Sequence, residues 1–434
     1  MLIRRATLLD GCVTDIRMRK QICEIGDGLA PAPGENVIDA RLGTVIRGLH
    51  DHHMHLRAEA ASSESCHVGP PGVASLADLK HVLTSAEPSA DGWIRAVGYH
   101  ESSASSLDRF VLDALVPSIP LRVQHRSGVL WFLNSEGLRR VGLPDHPDGR
   151  VRSADYSWSN TLGALDLDLS EVGRRLCSMG VTGVTDATPD LVDSDRDAIM
   201  ATRARGGFFP RLSFLSPGKK ILQEDNLDLD DLVAWIASRR ASDEPVAVHC
   251  VTAAQLVVTL AALAVTGHHP LDRIEHAAMV PDDCIGDLAA CGVTVVTQPN
   301  FVAERGDEYL CDIPPDEHRQ LWRVASLINA GVRVAFSTDM PFGGSDPWMA
   351  MRAAVSRRTR RGSVLGPDER VSPMQALTMF FGQSNRPSRP RRIALGEPGD
   401  VCVLAGPPSV VLAELDSNLL SATIIGGEIA FLAE

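Results

Sequence analysis

Four histidines fall within the seven residues HDHHMHL, positions 50 to 56, of a 434-residue chain that holds 14 in all. Imidazole is the commonest side-chain metal ligand, but one short segment cannot aim four rings at one ion. The run contains two His-x-His pairs, His50/His52 and His53/His55. In an extended strand Asp51, His53 and His55 share one side and His50 and His52 the other, so spacing alone does not choose between them. Further along, His249 ends PVAVH, His276 ends RIEH, and Asp339 follows VRVAFST, each polar group closing an apolar, β-branched run. Neutral imidazoles with a carboxylate suit zinc and neighbouring divalent cations, and an incomplete ligand shell leaves a place for water. A metal lowers the pKa of that water toward neutrality and makes it a hydroxide nucleophile, while a nearby carboxylate takes and returns protons.

The elements that carry these residues follow the grammar of a parallel sheet covered by helices, apolar strands alternating with helical stretches. Nine segments read as strands: TVIRGL, WIRAVGY, PLRVQHR, GVTGVTDA, PRLSFLS, PVAVHC, RIEHA, GVTVVTQ and VRVAFST. An eight-stranded (β/α)8 TIM-like barrel uses eight, so one is expected outside the ring. The excess falls before residue 190, where LPDHPDGRVRSADYSWSN also looks irregular, which implies an insertion or excursion within about 60–180. The barrel is expected over 46–389, with its active site at the C-terminal ends of the strands. Residues 1–45 and 390–434 are rich in short strands and turns, including the hairpin signal Gly426-Gly427, and imply a small β-domain assembled from both chain ends.

Composition excludes several partners. A net charge of −13 argues against nucleic-acid or anionic-membrane surfaces, which need clustered basic residues. The basic runs RRTRRGS and RPSRPRR are short and read as solvated surface. The N-terminus lacks a signal-peptide pattern, and no apolar run reaches the length of a membrane span. Nine cysteines without a CxxC pair suggest reduced, mostly buried thiols in a cytoplasmic protein.

GLHDHHMHL resembles the PGxxDxHxHL signature of the metal-dependent amidohydrolase superfamily, and AVHCVT, RIEHA and FSTDMPF are similar to its fifth-strand histidine, sixth-strand histidine and eighth-strand aspartate segments. Order and spacing match over essentially the whole chain, and the nearest resemblance is to the YtcJ-like (amidohydrolase 3) branch, which includes N-substituted formamide deformylases. The resemblance implies that the terminal β-domain is a composite sandwich. It selects His53 and His55 as the first-strand metal pair and leaves His50 and His52 to support or packing. His249 and His276 become further ligands, and Asp339 binds metal, shuttles protons, or does both in turn. In many members a fourth-strand lysine, carboxylated by CO2, bridges two metals. GKKILQEDNLDLDDL lies at that place, with Lys220 at the lysine position and Lys219 one before it. One or two divalent ions are implied, zinc first among them, with a single ion if Lys220 is unmodified.

After the second and third candidate strands, GYHES and QHRSGVLWFLNS place His100, Glu101, His125, Arg126 and Trp131 where they could line a substrate pocket or pack structurally. Gln298 and Asn300 in TQPNF stand in the same position after the seventh. YtcJ-like relatives more usually read DGHxxWxNS, so their histidine falls on Gly128, and His125 with Arg126 would compensate. The expected function is hydrolysis of a non-peptide C–N bond in a small molecule (an amide, formamide or N-acyl group), with Asp339 as general base and acid. The same scaffold also supports decarboxylation or isomerisation, and a non-catalytic binding protein is the remaining alternative. A homodimer fits the resemblance, though no interface is legible.

Overall fold

The computed structural model describes residues 1–104, 106–153, 158, 162, 168–189 and 191–433, and they divide into two compact units. The first comprises residues 1–56 and 169 onward; the second comprises 57–168. Part of the irregular stretch 143–160 lies outside the described residues.

Eight parallel strands form the centre of the first unit. One arc consists of β1 (Leu49–Met54), β2 (Val181–Asp186) and β3 (Arg211–Phe214), bonded in the order β3–β2–β1. The other arc runs in chain order through β4 (Lys219–Ile221), β5 (Ala247–Cys250), β6 (Arg273–His276), β7 (Thr294–Thr297) and β8 (Arg333–Phe336). On one side the arcs meet just past the strand ends: Asp339 N donates to His53 O at 2.9 Å and His55 N to Met340 O at 2.8 Å. On the other side the chain passes directly from β3 to β4. This is the α/β, (β/α)8 architecture. Strands β1, β2, β6 and β7 are buried along their whole length, so the polar side chains that β1 (LHDHHM) and β6 (RIEH) carry are buried with them.

The strand assignment differs from the sequence expectation in three places. TVIRGL divides at Gly48: Thr44–Arg47 pairs antiparallel with Val401–Leu404, and β1 begins only at Leu49. A Cβ on Gly48 would sit 2.1 Å from the Thr182 side chain, so this crossing of two sheets requires glycine. Two candidate strands, not one, lie outside the ring. Ile94–Tyr99 and Leu121–His125 both belong to a five-stranded sheet in the second unit. The missing barrel strand is β4, whose sequence KKI is too short and too polar to register as an apolar run.

Both chain ends join one eight-stranded sheet. Its order is Glu428–Leu432, Leu420–Ile425, Val401–Leu404, Thr44–Arg47, Leu2–Thr7, Val13–Met18, Ile22–Gly26, with Val37–Asp39 beside Leu2–Thr7. Ile3, Ile16, Met18, Val45, Val403 and Ile424 form its core. Gly426 and Gly427, at φ +61° and +78°, make the tight turn of the last hairpin.

The basic runs are not simply solvated. Arg357 is fully buried and donates to the carbonyls of Leu365, Trp322 and Leu321 at 2.8, 2.9 and 3.0 Å. Arg391 donates to Gly48 O at 2.6 Å. Main-chain carbonyls left over at loop crossings need donors, and these arginines supply them. All nine cysteines are free; four are buried and three exposed. Among the described residues, no helix is long and apolar enough to cross a membrane.

Candidate metal centre

The ends of β1, β4, β5, β6 and β8 bring four imidazoles, a lysine and two carboxylates together. His53 Nε2 and His55 Nε2 lie 3.5 and 3.4 Å from Asp339 Oδ1. The His276 ring centre is 4.8 Å from that of His53 and 4.5 Å from that of His249. Within this cluster His53, His55 and Asp339 form the buried group whose ligand atoms all lie within 4.8 Å of one another. His249 and His276 stand beside it, with His276 Nδ1 4.0 Å from Asp339 Oδ2.

Backbone geometry at the strand ends aims these groups. His276 has φ +70° and Asp339 φ +59°, values that non-glycine residues adopt only when the surroundings enforce them. Asp339 is held by its own N–H on His53 O and by Phe342 N and Gly343 N donating to its carbonyl at 2.8 and 3.0 Å. Asp51 ties β1 to the segment after β8, its Oδ1 accepting from His53 N and Thr338 N at 3.2 Å each. Burial raises the Asp51 carboxyl to about 6.

A carboxylate that sequence reasoning missed orients His53. Glu275 is fully buried, accepts from Arg273 at 2.7 and 3.0 Å, and bonds His53 Nδ1. A histidine whose Nδ1–H is held by a carboxylate presents the Nε2 lone pair, here toward Asp339. The signal was present in RIEH, where Arg273 and Glu275 alternate on one side of a buried strand. Gln298 does similar work for His276, its Oε1 2.7 Å from His276 Nδ1 and its Nε2 donating to Ser337 Oγ at 2.9 Å.

The lysine is Lys219 and not Lys220. Lys219 is buried with Nζ 3.1 Å from His53 Nε2. Lys220 points to the other side of β4, pairs with Asp231 at 2.5 Å and lies over the Trp235 ring. The cause is register: β4 pairs Lys219 with Ala247 and Lys220 with Val248, and only one face of a strand looks inward. Burial lowers the Lys219 amine to about 8, against the pull of Glu275, Asp339 and Asp186.

Electrostatics favour a cation. Burial, with Lys219 and His276 adding to it, keeps His53 well below the ordinary imidazole range, and burial does the same for His249. Both rings are therefore neutral, with a lone pair to offer. Burial pushes the Asp339 carboxyl up, but His55, His276 and Lys219 outweigh it and hold it below the usual carboxylate range. Asp339 Oδ1 is buried and accepts no hydrogen bond among the described residues. A buried anionic oxygen without a donor is costly, and a divalent ion between it and the two Nε2 atoms fits this donor set.

The remaining candidates fall elsewhere. His50 bonds Thr185 Oγ1 at 2.9 Å and stacks on the fully buried His52 at 4.5 Å, and neither belongs to the ligand group. Asn300 is fully buried, its Nδ2 donating to Thr338 O and Glu304 Oε1 at 3.1 Å each; it braces a loop. His100, Glu101, His125 and Arg126 gather at strand ends within the second unit. Trp131 belongs to that unit's core with Trp93, Leu133 and Trp158, its indole N–H on Ser153 Oγ at 3.1 Å; a side chain committed on both face and edge is a packing residue, not a pocket wall.

The fold and this cluster define a class, a (β/α)8 hydrolase with a metal-binding group at the C-terminal ends of its strands. Residues 207–431 match the family model described as "Amidohydrolase family", and the chain belongs to that family. It is 25% identical to an N-substituted formamide deformylase of Arthrobacter pascens, over 93% of this chain and 91% of that one. It is also 25% identical to a putative amidohydrolase, YtcJ, of Bacillus subtilis, over 38% of this chain and 32% of that one. A metal-dependent hydrolase of uncharacterised activity from Pyrococcus horikoshii has the same fold, with TM-score 0.75 and 18% identity over 94% of this chain and 98% of that one.

Proposed function

We propose that this protein hydrolyses a non-peptide carbon–nitrogen bond, in an amide, formamide or N-acyl amine, at a divalent metal held by His53, His55 and Asp339. His249 and His276 complete the ligand set, and Lys219 occupies the fourth-strand position. The observation that carries the reading is the buried Asp339 Oδ1, without a hydrogen-bond donor and within 3.5 Å of two imidazole Nε2 atoms. Bound there, a divalent cation, zinc first among those to test, supplies Lewis acidity to the scissile carbonyl and to water. Asp339 accepts the proton of the attacking water and delivers it to the departing nitrogen. Glu275 holds His53 in one tautomer, and Gln298 fixes the His276 ring. Lys219 is a candidate for carboxylation: its neutral amine adds CO2, a proton leaves, and the carbamate so formed is a further anionic ligand. The similarity to a formamide deformylase makes N-substituted formamides the first substrates to try.

The test is metal content together with turnover on a panel of N-formyl and N-acyl amines, with products read by mass. Hydrolysis adds water, whereas decarboxylation loses CO2. Metal-free protein that turns over at the full rate, or an unchanged rate in His53→Ala, would overturn the proposal.

A further inference from the structure

In the second unit, two neighbouring parallel strands, Ile94–Tyr99 and Leu121–His125, end in the same local arrangement. After the first, His100 Nδ1 lies 2.8 Å from Ser102 Oγ; after the second, His125 Nδ1 lies 2.7 Å from Ser127 Oγ. In each case the serine two residues on holds Nδ1 and turns Nε2 away from the turn. The two rings face each other with centres 5.6 Å apart. Glu101 enters between them, its Oε2 3.2 Å from His125 Nε2 and 3.9 Å from His100 Nε2. The three ligand atoms lie within 4.8 Å of one another. Those separations are close to the edge of a tetrahedron of ligands about 2.0–2.2 Å from zinc or a similar ion.

We propose that His100 Nε2, His125 Nε2 and Glu101 Oε2 form a second divalent-metal site, independent of the barrel centre and selective for zinc-like ions over magnesium or calcium. Two imidazoles and one carboxylate are donors for zinc, cobalt or nickel; oxygen-only cages suit the alkaline-earth ions. Binding through Nε2 requires the Nδ1–H tautomer in both rings. Ser102 Oγ and Ser127 Oγ can accept those protons, whereas Ser102 N and Ser127 N donate to the same Nδ1 atoms at 3.2 Å each, so a tautomer shift adds to the cost of metal entry. Arg126 sets the strength of the site: its Nη2 is 2.9 Å from His100 Nε2 and donates to the lone pair the metal takes. Metal entry displaces that guanidinium and works against its charge, so the site binds weakly and exchangeably. Its effect is to clamp the turn after Tyr99 to the turn after His125. These residues then serve metal binding rather than the substrate contact expected from their sequence positions.

The experiment is a Co2+ titration of chelator-stripped full-length protein, followed by visible absorption and by metal analysis at equilibrium dialysis against a fixed free Co2+ concentration. Wild type is expected to take up one more Co2+ per chain than His100→Ala/His125→Ala, and Arg126→Ala to hold that ion at least about threefold more tightly, as removal of a nearby positive charge requires. His125→Gln, which keeps a hydrogen-bonding side chain, should also lose the ion and guards against misfolding of the double variant. Equal uptake by wild type and the histidine variants, or weaker binding in Arg126→Ala, would overturn the proposal. His53→Ala should leave this site intact, so failure here and failure of the barrel reading give different results.

Discussion

Asp339 is the most constrained residue near the four imidazoles: it is buried, at positive φ, and carries an oxygen without a donor. Replacing His53 or His55 by alanine removes one of the two nitrogens facing that oxygen. Metal affinity should then fall by well over tenfold, because even outer-shell partners are worth about 10–100-fold. His50→Ala should retain the metal, since that ring bonds Thr185 and stacks on His52; metal analysis after dialysis separates the two cases. The lysines give a second contrast. Lys219→Ala should reduce turnover severely and abolish any carbamate carbon signal in 13C-bicarbonate NMR. Lys220→Ala removes only a partly exposed ion pair, worth about 0–1 kcal/mol, and should leave the rate within about twofold.

At the scale of elements, the helix Asn300–Asp312 that follows β7 latches the loop that follows β8. Asn300 donates to Thr338 O, Glu304 Oε1 accepts from Gly344 N at 2.9 Å, and Arg305 donates to Phe342 O. The latch closes tightly: a Cβ on Gly343 would come within 2.3 Å of Thr338 O. Phe342, in the same loop, sits edge-on to His55 with centres 5.2 Å apart. Burial raises the Glu304 carboxyl above its ordinary range, as expected of an acid enclosed between a helix and a loop. Glu304→Ala leaves Gly344 N without its acceptor and removes one of the two bonds of Asn300 Nδ2, which keeps Thr338 O, a loss of about 1–3 kcal/mol. The expected outcome is faster proteolysis between residues 338 and 346 and lower turnover, with His53 and His55 still binding metal. Unchanged cleavage kinetics would show that the loop is held by other means.

At the scale of the whole molecule, each unit has its own apolar core. Val68, Leu79, Ile94, Leu112, Val123 and Phe132 serve the second unit, and the strands from both chain ends serve the terminal sheet. The first unit alone contains the proposed barrel ligands, and they come from segments nearly three hundred residues apart in sequence. A cation that binds only when those segments are assembled stabilises the folded state by mass action, about 2.7 kcal/mol at a hundred times its dissociation constant. Thermal unfolding of chelator-stripped protein should therefore begin several degrees lower than that of the metal-loaded form, and added zinc should shift His53→Ala clearly less than wild type. An identical midpoint with and without metal would count against a ligand set drawn from four strands.

The segments bearing the barrel histidines and Asp339 were legible in the sequence because each polar group follows an apolar run, a pattern set by covalent order and hydrophobicity alone. Recognition of the amidohydrolase signature then selected His53/His55 from the four-histidine run. The structure decided three further things. It turned Lys219 inward and Lys220 outward, because a three-residue strand has no apolar face and takes its register only from β5. It moved Ile94–Tyr99 and Leu121–His125 out of the ring, because a buried parallel strand reads alike in any sheet. It also put Glu275 behind His53, a pairing across 222 residues. Local sequence encodes which residues a strand carries; which strand lies beside it, and which side faces the centre, is settled only when the chain closes on itself.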